Sequence, residues 1–284
     1  MKRILLPTDF SKNAWNAMAY TQFIFEAIPC EFILLHCFSG SPFKSQLQND
    51  APESLSADLL LRATFLNRLE DIVRKATSPT PNPNHVFRVS AIAGDLIATI
   101  RKITVEEKID CIIMGTKGAS GLKKVFFGST TYTTIKHATF CPVIAVPEDW
   151  ENNIGKNTIL LVTGYEHIFE AYEFTTILDI ASLCNGRVMV GFMGKHRELG
   201  PAQLKSKESI HNHLQSIDVE FVEMREETFI YQSVQKMVTE HDEIGMIAML
   251  EYWHSFFERI TNEPVIKNIA FNPQVPFLVI PLKE

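Results

Sequence analysis

At 284 residues the chain is longer than one ordinary domain and can bury two sizeable cores. With 46% hydrophobic and 21% charged residues it has a globular composition, and it carries no run of apolar residues long enough to span a bilayer. The net charge of -6 argues against a nucleic-acid or anionic-membrane partner. That charge is uneven. Residues 1–150 hold 16 Lys and Arg against 14 Asp and Glu, a net of +2, whereas residues 151–284 hold 11 against 19, a net of -8. A polyanionic ligand is therefore expected in the first half. Met1-Lys2-Arg3 runs directly into an apolar strand without a signal-peptide pattern, which sets a cytoplasmic expectation. Cys30, Cys37, Cys111, Cys141 and Cys184 lack metal-ligand spacing and read as reduced thiols, three of them in or beside strand-like runs.

In chain order, the first half predicts strand Ile4–Pro7, a helix from about Asn13 to Ala27, and strand Glu31–Cys37. A long helix near Ser54–Ala76, strand Val86–Ala91, helix Leu96–Glu106, strand Cys111–Met114, helix Ser129–Ala138 and strand Val143–Val146 follow. The proline-rich stretch 78–84 reads as a loop. Continuous apolar strands interleaved with helices require a parallel sheet covered on both faces. The expected fold class is α/β: a doubly wound, five-stranded sheet with its ligand crevice at the strand carboxyl ends.

The second half repeats this plan. Lys2–Thr8 matches Asn157–Thr163 at an offset of 155, and Cys141–Pro147 matches Val275–Pro281 at an offset of 134. Two tandem domains follow, 1–147 and 157–284, joined by the polar linker 148–156.

Three segments at predicted strand carboxyl ends carry the chemistry. After the first strand, Thr8 offers a hydroxyl, and Asp9 can accept from ribose hydroxyls or assist a metal beside phosphates. Either Asp9 or Ser11 would serve equally as a helix N-cap. His36-Cys37 ends the second strand, where a side chain can border a base or simply close the core. The third segment is Gly115-Thr116-Lys117-Gly118, nine residues, then Gly128-Ser129-Thr130. Gly115 admits close approach of a ribose or phosphate, Gly118 turns the loop, and Gly128, Ser129 and Thr130 present amides and hydroxyls at a helix N-terminus. The competing reading is a surface loop with a Ser-capped helix. The loop is neither a Walker P-loop nor a G-x-G-x-x-G motif.

Pro-Thr-Asp-Phe-Ser after the first strand, Ile-Leu-Leu-His in the second, Gly94-Asp95 before a helix and G-x2-G-x9-G-[ST] together resemble the universal stress protein family. The resemblance covers the first copy and, more weakly, the second. It implies a Rossmann-like, adenine nucleotide alpha hydrolase-like fold and the binding of ATP, with AMP or ADP as variants and Mg2+ entering with the nucleotide beside Asp9. It implies Pro7, Thr8 and Asp9 around adenine and ribose, and Cys37 beside the base, where the family usually has an aliphatic residue. Met114, Gly115 and Gly118 would line the ribose and first phosphates, and Gly128, Ser129 and Thr130 would hold the outer ones. It further implies pairing of the final strands Val143–Val146 and Phe277–Ile280 within the chain, and leaves a homodimer open.

The second copy departs from the pattern. At the offset of 134 the two glycines become Met249 and Tyr252, and Gly128-Ser129 become Asn262-Glu263; at 155, Asp9 becomes Gly164. A glutamate repels a polyanion, and bulky side chains close the backbone approach. The replacement loop Tyr252–Phe257 reads as pocket filling or interdomain packing, with a partner surface as the alternative. His211 and His213, two apart on a helix, diverge. Three functions remain open: an ATP-binding regulatory protein, a slow ATPase, and a nucleotide-free interaction module. No residue is assigned a catalytic role, because Asp9 is the only acid placed in the crevice.

Overall fold

The computed structural model describes residues 1–39, 52–78, 80–116, 129–138, 140–151, 155–193, 198–225, 227, 229–250 and 275–281. Strands β1 (Lys2–Pro7), β2 (Cys30–Phe38), β3 (His85–Ala93), β4 (Cys111–Gly115) and β5 (Val143–Val146) alternate with helices α1 (Lys12–Ile24), α2 (Pro52–Thr77), α3 (Leu96–Glu106) and α4 (Ser129–His137). The second half continues with β6 (Thr158–Thr163), a 3-10 turn at Ala171–Phe174, α5 (Thr175–Leu183), β7 (Arg187–Met193), α6 (Pro201–His213), β8 (Val219–Met224), α7 (Ile230–Glu240), β9 (Ile244–Leu250) and β10 (Phe277–Ile280).

Among the described residues ten strands form one sheet in the order β3-β2-β1-β4-β5-β10-β9-β6-β7-β8. Each half has the same internal order, and within each half the ladders are parallel. The sequence pattern gives each half a five-stranded sheet, and the resemblance adds pairing of their final strands. The structure fuses them through the antiparallel pair β5/β10, with Ile144 opposite Leu278, Ala145 opposite Phe277 and Val143 opposite Val279. These six side chains are at most 2% exposed. Burying such groups stabilises by about 1.5–3 kcal/mol for each large one, which makes the junction a core rather than a contact. Lys2 reaches across to Asp179 of α5 at 2.5 Å, tying the first half to the second.

Strand position sets the burial pattern. Inner strands β5 and β6 are buried throughout and β1 is buried from Ile4 on, while the edge strands β3 and β8 alternate towards solvent. Two hydrophobic layers cover the sheet. Residues of α1, α2, α5 and α6 pack on one face, those of α3, α4 and α7 on the other. Helix α7 shows the cause in its spacing: Ile230, Val234, Met237 and Val238 are buried on one stripe. Helix ends differ slightly from expectation. Helix α1 stops at Ile24 rather than Ala27, and its Phe25 amide caps back onto Thr21. All five cysteines are free, with Cys30, Cys111 and Cys141 buried.

Candidate functional site

The parallel strands of the first half all end on one side, and the chain winds away from β1 in opposite directions to reach β2 and β4. A crevice opens at such a switch point. Here it is a cavity of about 150 Å3 lined by Pro7, Thr8, Asp9, Cys37, Met114, Gly115 and Thr130, with Ala14, His36, Leu96 and Thr131 completing the wall. Seven of the ten residues expected from sequence thus share one cavity. Ser129 opens α4 beside it, and Gly118 and Gly128 lie outside the described residues.

The β1–α1 turn is tightly built. Thr8 accepts from the Phe10 amide through Oγ1 at 3.1 Å, and Asp9 accepts from the Ser11 amide at 3.0 Å. Ser11 then caps α1 by accepting from the Ala14 amide at 3.2 Å. The N-cap is therefore Ser11, while Asp9 is exposed and shapes the turn from outside the helix. Phe10 holds a left-handed φ of 66°, a costly backbone for an aromatic residue. Its ring packs 4.5 Å from His36 and lies beneath the Arg68 guanidinium, 3.8 Å away. His36 also meets the Thr8 carbonyl through Nδ1 at 2.8 Å. Burial pushes the Cys37 thiol up, partly countered by a hydrogen bond with Thr99. Cys37 therefore stays a neutral thiol in the wall.

Helix α4 brings its amino end to the same place. Thr131 donates through Oγ1 to the Gly115 carbonyl at 2.8 Å, locking the helix onto the end of β4, while the Thr130 side chain is exposed at the mouth. The first amides of a helix lack intrahelical acceptors and favour an anion. Sequence reasoning missed Ala14, Leu96 and Thr131. Leu96 had a readable signal, since it follows the Asp95 N-cap at the end of β3.

Gly115 has a structural reason for being glycine. A Cβ there would stand 2.7 Å from the Asn13 carbonyl oxygen and 2.8 Å from its carbon, so α1 itself occupies the space. The freedom expected for ligand approach is first used by this helix.

The second half repeats the turn. Thr163 accepts from the Tyr165 amide at 3.1 Å, and Tyr165 has a φ of 56°, matching Thr8 and Phe10 at the offset of 155. Tyr165 is fully buried and stacks on Phe192 at 4.8 Å. Gln203 of α6 donates to the Gly164 carbonyl at 3.2 Å, and Ser209 and His213 bind the Phe169 carbonyl at 3.0 and 2.9 Å. His211 instead packs near Phe221, so the two histidines diverge. The register corrects one equivalence. Gly115 pairs with Val146, and Leu250 pairs with Ile280, while Ile4 and Ile159 pair with Cys111 and Met246. The partner of Gly115 is thus Leu250, and Met249 answers to Met114. A strand shift of one residue exchanges faces, and Leu250 does lie in the α1/α5-side core whereas Met249 lies in the other. The offset changes because 30 positions separate Leu250 from Ile280 where 31 separate Gly115 from Val146, so the second half is one residue shorter between these two strands. The loop Tyr252–Phe257, with Asn262 and Glu263, lies outside the described residues.

Among the described residues no cluster of His, Cys, Asp or Glu could hold a metal, and no helix is long and apolar enough to cross a membrane. Residues 1–147 match the model of the universal stress protein family. Universal stress proteins MJ0577 and MJ0531 of Methanocaldococcus jannaschii are 27% and 26% identical over 157 and 145 residues, covering 51% of this chain and 94% and 81% of those proteins. The crystal structure of a universal stress protein from Archaeoglobus fulgidus shares the fold over 99% of this chain and 97% of that one, at 17% identity and a TM-score of 0.64. On the match to its first 147 residues, the chain belongs to the universal stress protein family.

Proposed function

We propose that this protein is a regulatory binder of adenine nucleotides that holds one nucleotide in residues 1–147. Residues 157–284, beyond the linker 148–156, act as the structural partner. The observation that carries this reading is asymmetry between equivalent places. The first crevice opens beside the α4 amino terminus with Gly115 at its wall, whereas in the second half Leu250 stands at the position of Gly115 and Gly164 at that of Asp9. Charge favours the same assignment, since the first half carries +2 and the second -8.

In this reading Pro7, Thr8 and Asp9 border the adenosine, Cys37 lies at the base, and Met114 and Gly115 floor the ribose. Gly118, Gly128, Ser129 and Thr130 would complete the phosphate cradle, and Mg2+ entering with ATP would meet Asp9. The helix amides and hydroxyls bind and orient; no base is proposed for hydrolysis. ATP, ADP and AMP share the contacts invoked here.

The test is to identify any nucleotide released on denaturing freshly purified protein, then to measure melting with each of the three. Ligand at 100 times its Kd adds about 2.7 kcal/mol, which at about 2–4 °C per kcal/mol raises Tm by roughly 5–10 °C. Thr130→Glu puts a negative charge at the exposed helix start and should remove that rise without lowering the Tm of the free protein. No adenine absorbance and no shift with any of the three would defeat the proposal and favour a nucleotide-free interaction module.

A further inference from the structure

Helices α1 and α2 pack on the same face of the sheet but leave a gap between them. A cavity of about 290 Å3 opens there above Leu6, Leu34 and Ile113, which belong to β1, β2 and β4. Well-packed interiors leave few voids larger than a water molecule, and this space lies at the low end of the roughly 300–1000 Å3 usual for small-molecule sites. Trp15 and Met18 of α1 and Ile72 of α2 form its sides, and Trp15 and Ile72 are only half-buried. It is distinct from the nucleotide crevice. The three strand residues belong to the core under α1 and α2, whereas Cys37 and Leu96 of the crevice pack against the core on the other face. The two spaces meet only at Pro7, Thr8 and Ala14.

Charge at the mouth has one sign. Lys12 and Lys75 are exposed and line the cavity, and among the described residues no carboxylate does. The Lys75 ammonium lies 4.5 Å from the centre of the Trp15 ring, and the Arg68 guanidinium covers Phe10, a second wall residue. Asp71, one turn before Lys75, is taken by Arg74. Among the described residues none of Lys12, Arg68 and Lys75 forms an ion pair. Three unneutralised cations around an apolar pit complement a molecule that is apolar along its length and anionic at one end. The second half treats the same stretch of chain differently. Four residues after its left-handed turn residue it carries Phe169, buried against Phe174 at 5.3 Å, where the first half has Ala14.

We propose that the α1/α2 cavity binds a medium-chain aliphatic carboxylate. The chain lies along Met18, Ile72 and the edge of Trp15, and the carboxylate sits at the mouth between Lys12 and Lys75. An aliphatic body is favoured over an aromatic one because the deep wall is leucine, isoleucine and methionine, and Lys75 already covers the Trp15 face. Binding there would bridge α1 and α2 beside the β1–α1 turn. Neither this site nor the nucleotide site depends on the other.

Octanoate, octanol and octylamine share one chain and differ in the end group, so all three are titrated calorimetrically into the full-length protein. Octanoate should bind about fivefold more tightly than octanol, the gain expected of partly exposed charge pairs, and octylamine more weakly than either. Lys12→Met combined with Lys75→Met keeps apolar stems and removes both charges. That variant should bind octanoate no better than octanol, bind octanol as the parent does, and melt with the parent, since both positions are exposed. Thr130→Glu adds a negative charge in the crevice and should leave octanoate binding as it is. Absence of octanoate binding at millimolar concentration would overturn the assignment, as would equal affinity for octylamine or octanol. Unchanged octanoate affinity in the double lysine variant would also overturn it. Loss of octanoate binding in Thr130→Glu would do the same, by placing the ligand in the crevice.

Discussion

Gly115→Ala tests whether the glycine serves the fold before it serves a ligand. The added Cβ would lie 2.7 Å from the Asn13 carbonyl oxygen, where ordinary contact begins at 3.4 Å, so β4 and α1 must part by about 0.7 Å. The obstacle is helix backbone, which cannot rotate away as a side chain can. Overpacking of this kind costs about 1–3 kcal/mol. For a chain of this size the middle of that range lowers Tm by about 4–8 °C. The displacement would also reach the site, because the Gly115 carbonyl anchors α4 through Thr131. Melting followed by circular dichroism, with and without nucleotide, separates the two effects. Gly115→Ala should lose both stability and affinity, whereas Thr130→Glu should lose affinity alone. A Gly115→Ala protein that melts within 1 °C of the parent would refute the packing argument.

Leu250→Ala removes the side chain standing at the position of Gly115 in the second half, where it is 4% exposed, and should cost about 2–5 kcal/mol. Nucleotide-induced stabilisation should persist in that variant, and its loss would reverse the assignment of the binding half. Ser11→Ala removes the α1 cap and should cost about 1 kcal/mol in chemical denaturation. Burial pushes Glu166 up from the ordinary 4.5 to about 7. The folded protein therefore holds a proton that the unfolded chain releases between these values, and this carboxyl's contribution falls as pH rises through that window. Glu166→Gln should melt about 2–4 °C above the parent at pH 8, an effect of about 1 kcal/mol after discounting for partial exposure. The gap should narrow towards pH 5; a constant gap would place the cause elsewhere. A double-mutant cycle on Lys2 and Asp179, both partly exposed, should yield no more than about 1 kcal/mol.

Much of the fold could be read from local pattern. The continuous apolar strands, the Ser11 and Asp95 caps and the stripe of α7 are short-range signals, each backed by burial on one side of an element. The repeat at the offset of 155 was legible down to the turn, where Thr8 and Thr163 hold the same left-handed residue. The offset of 134 misplaces the equivalent of Gly115 by one position, because it is measured on the final strands and the second half is one residue shorter between its last two. Ala14 and Thr131 were missed for a related reason. Small residues reach a site only through the packing of their helices, and composition does not record which helix approaches which strand end.

Residue order by itself determined the alternation of strands and helices, the duplication and the segments that meet at the strand carboxyl ends, since periodicity and capping act over a few residues. Tertiary structure alone decided that the expected β5/β10 pairing is antiparallel and fully buried, and that α1 rather than a ligand demands Gly115. Those outcomes depend on contacts between residues a hundred or more positions apart, where steric fit and the pairing of buried polar groups are settled only when the whole chain has closed.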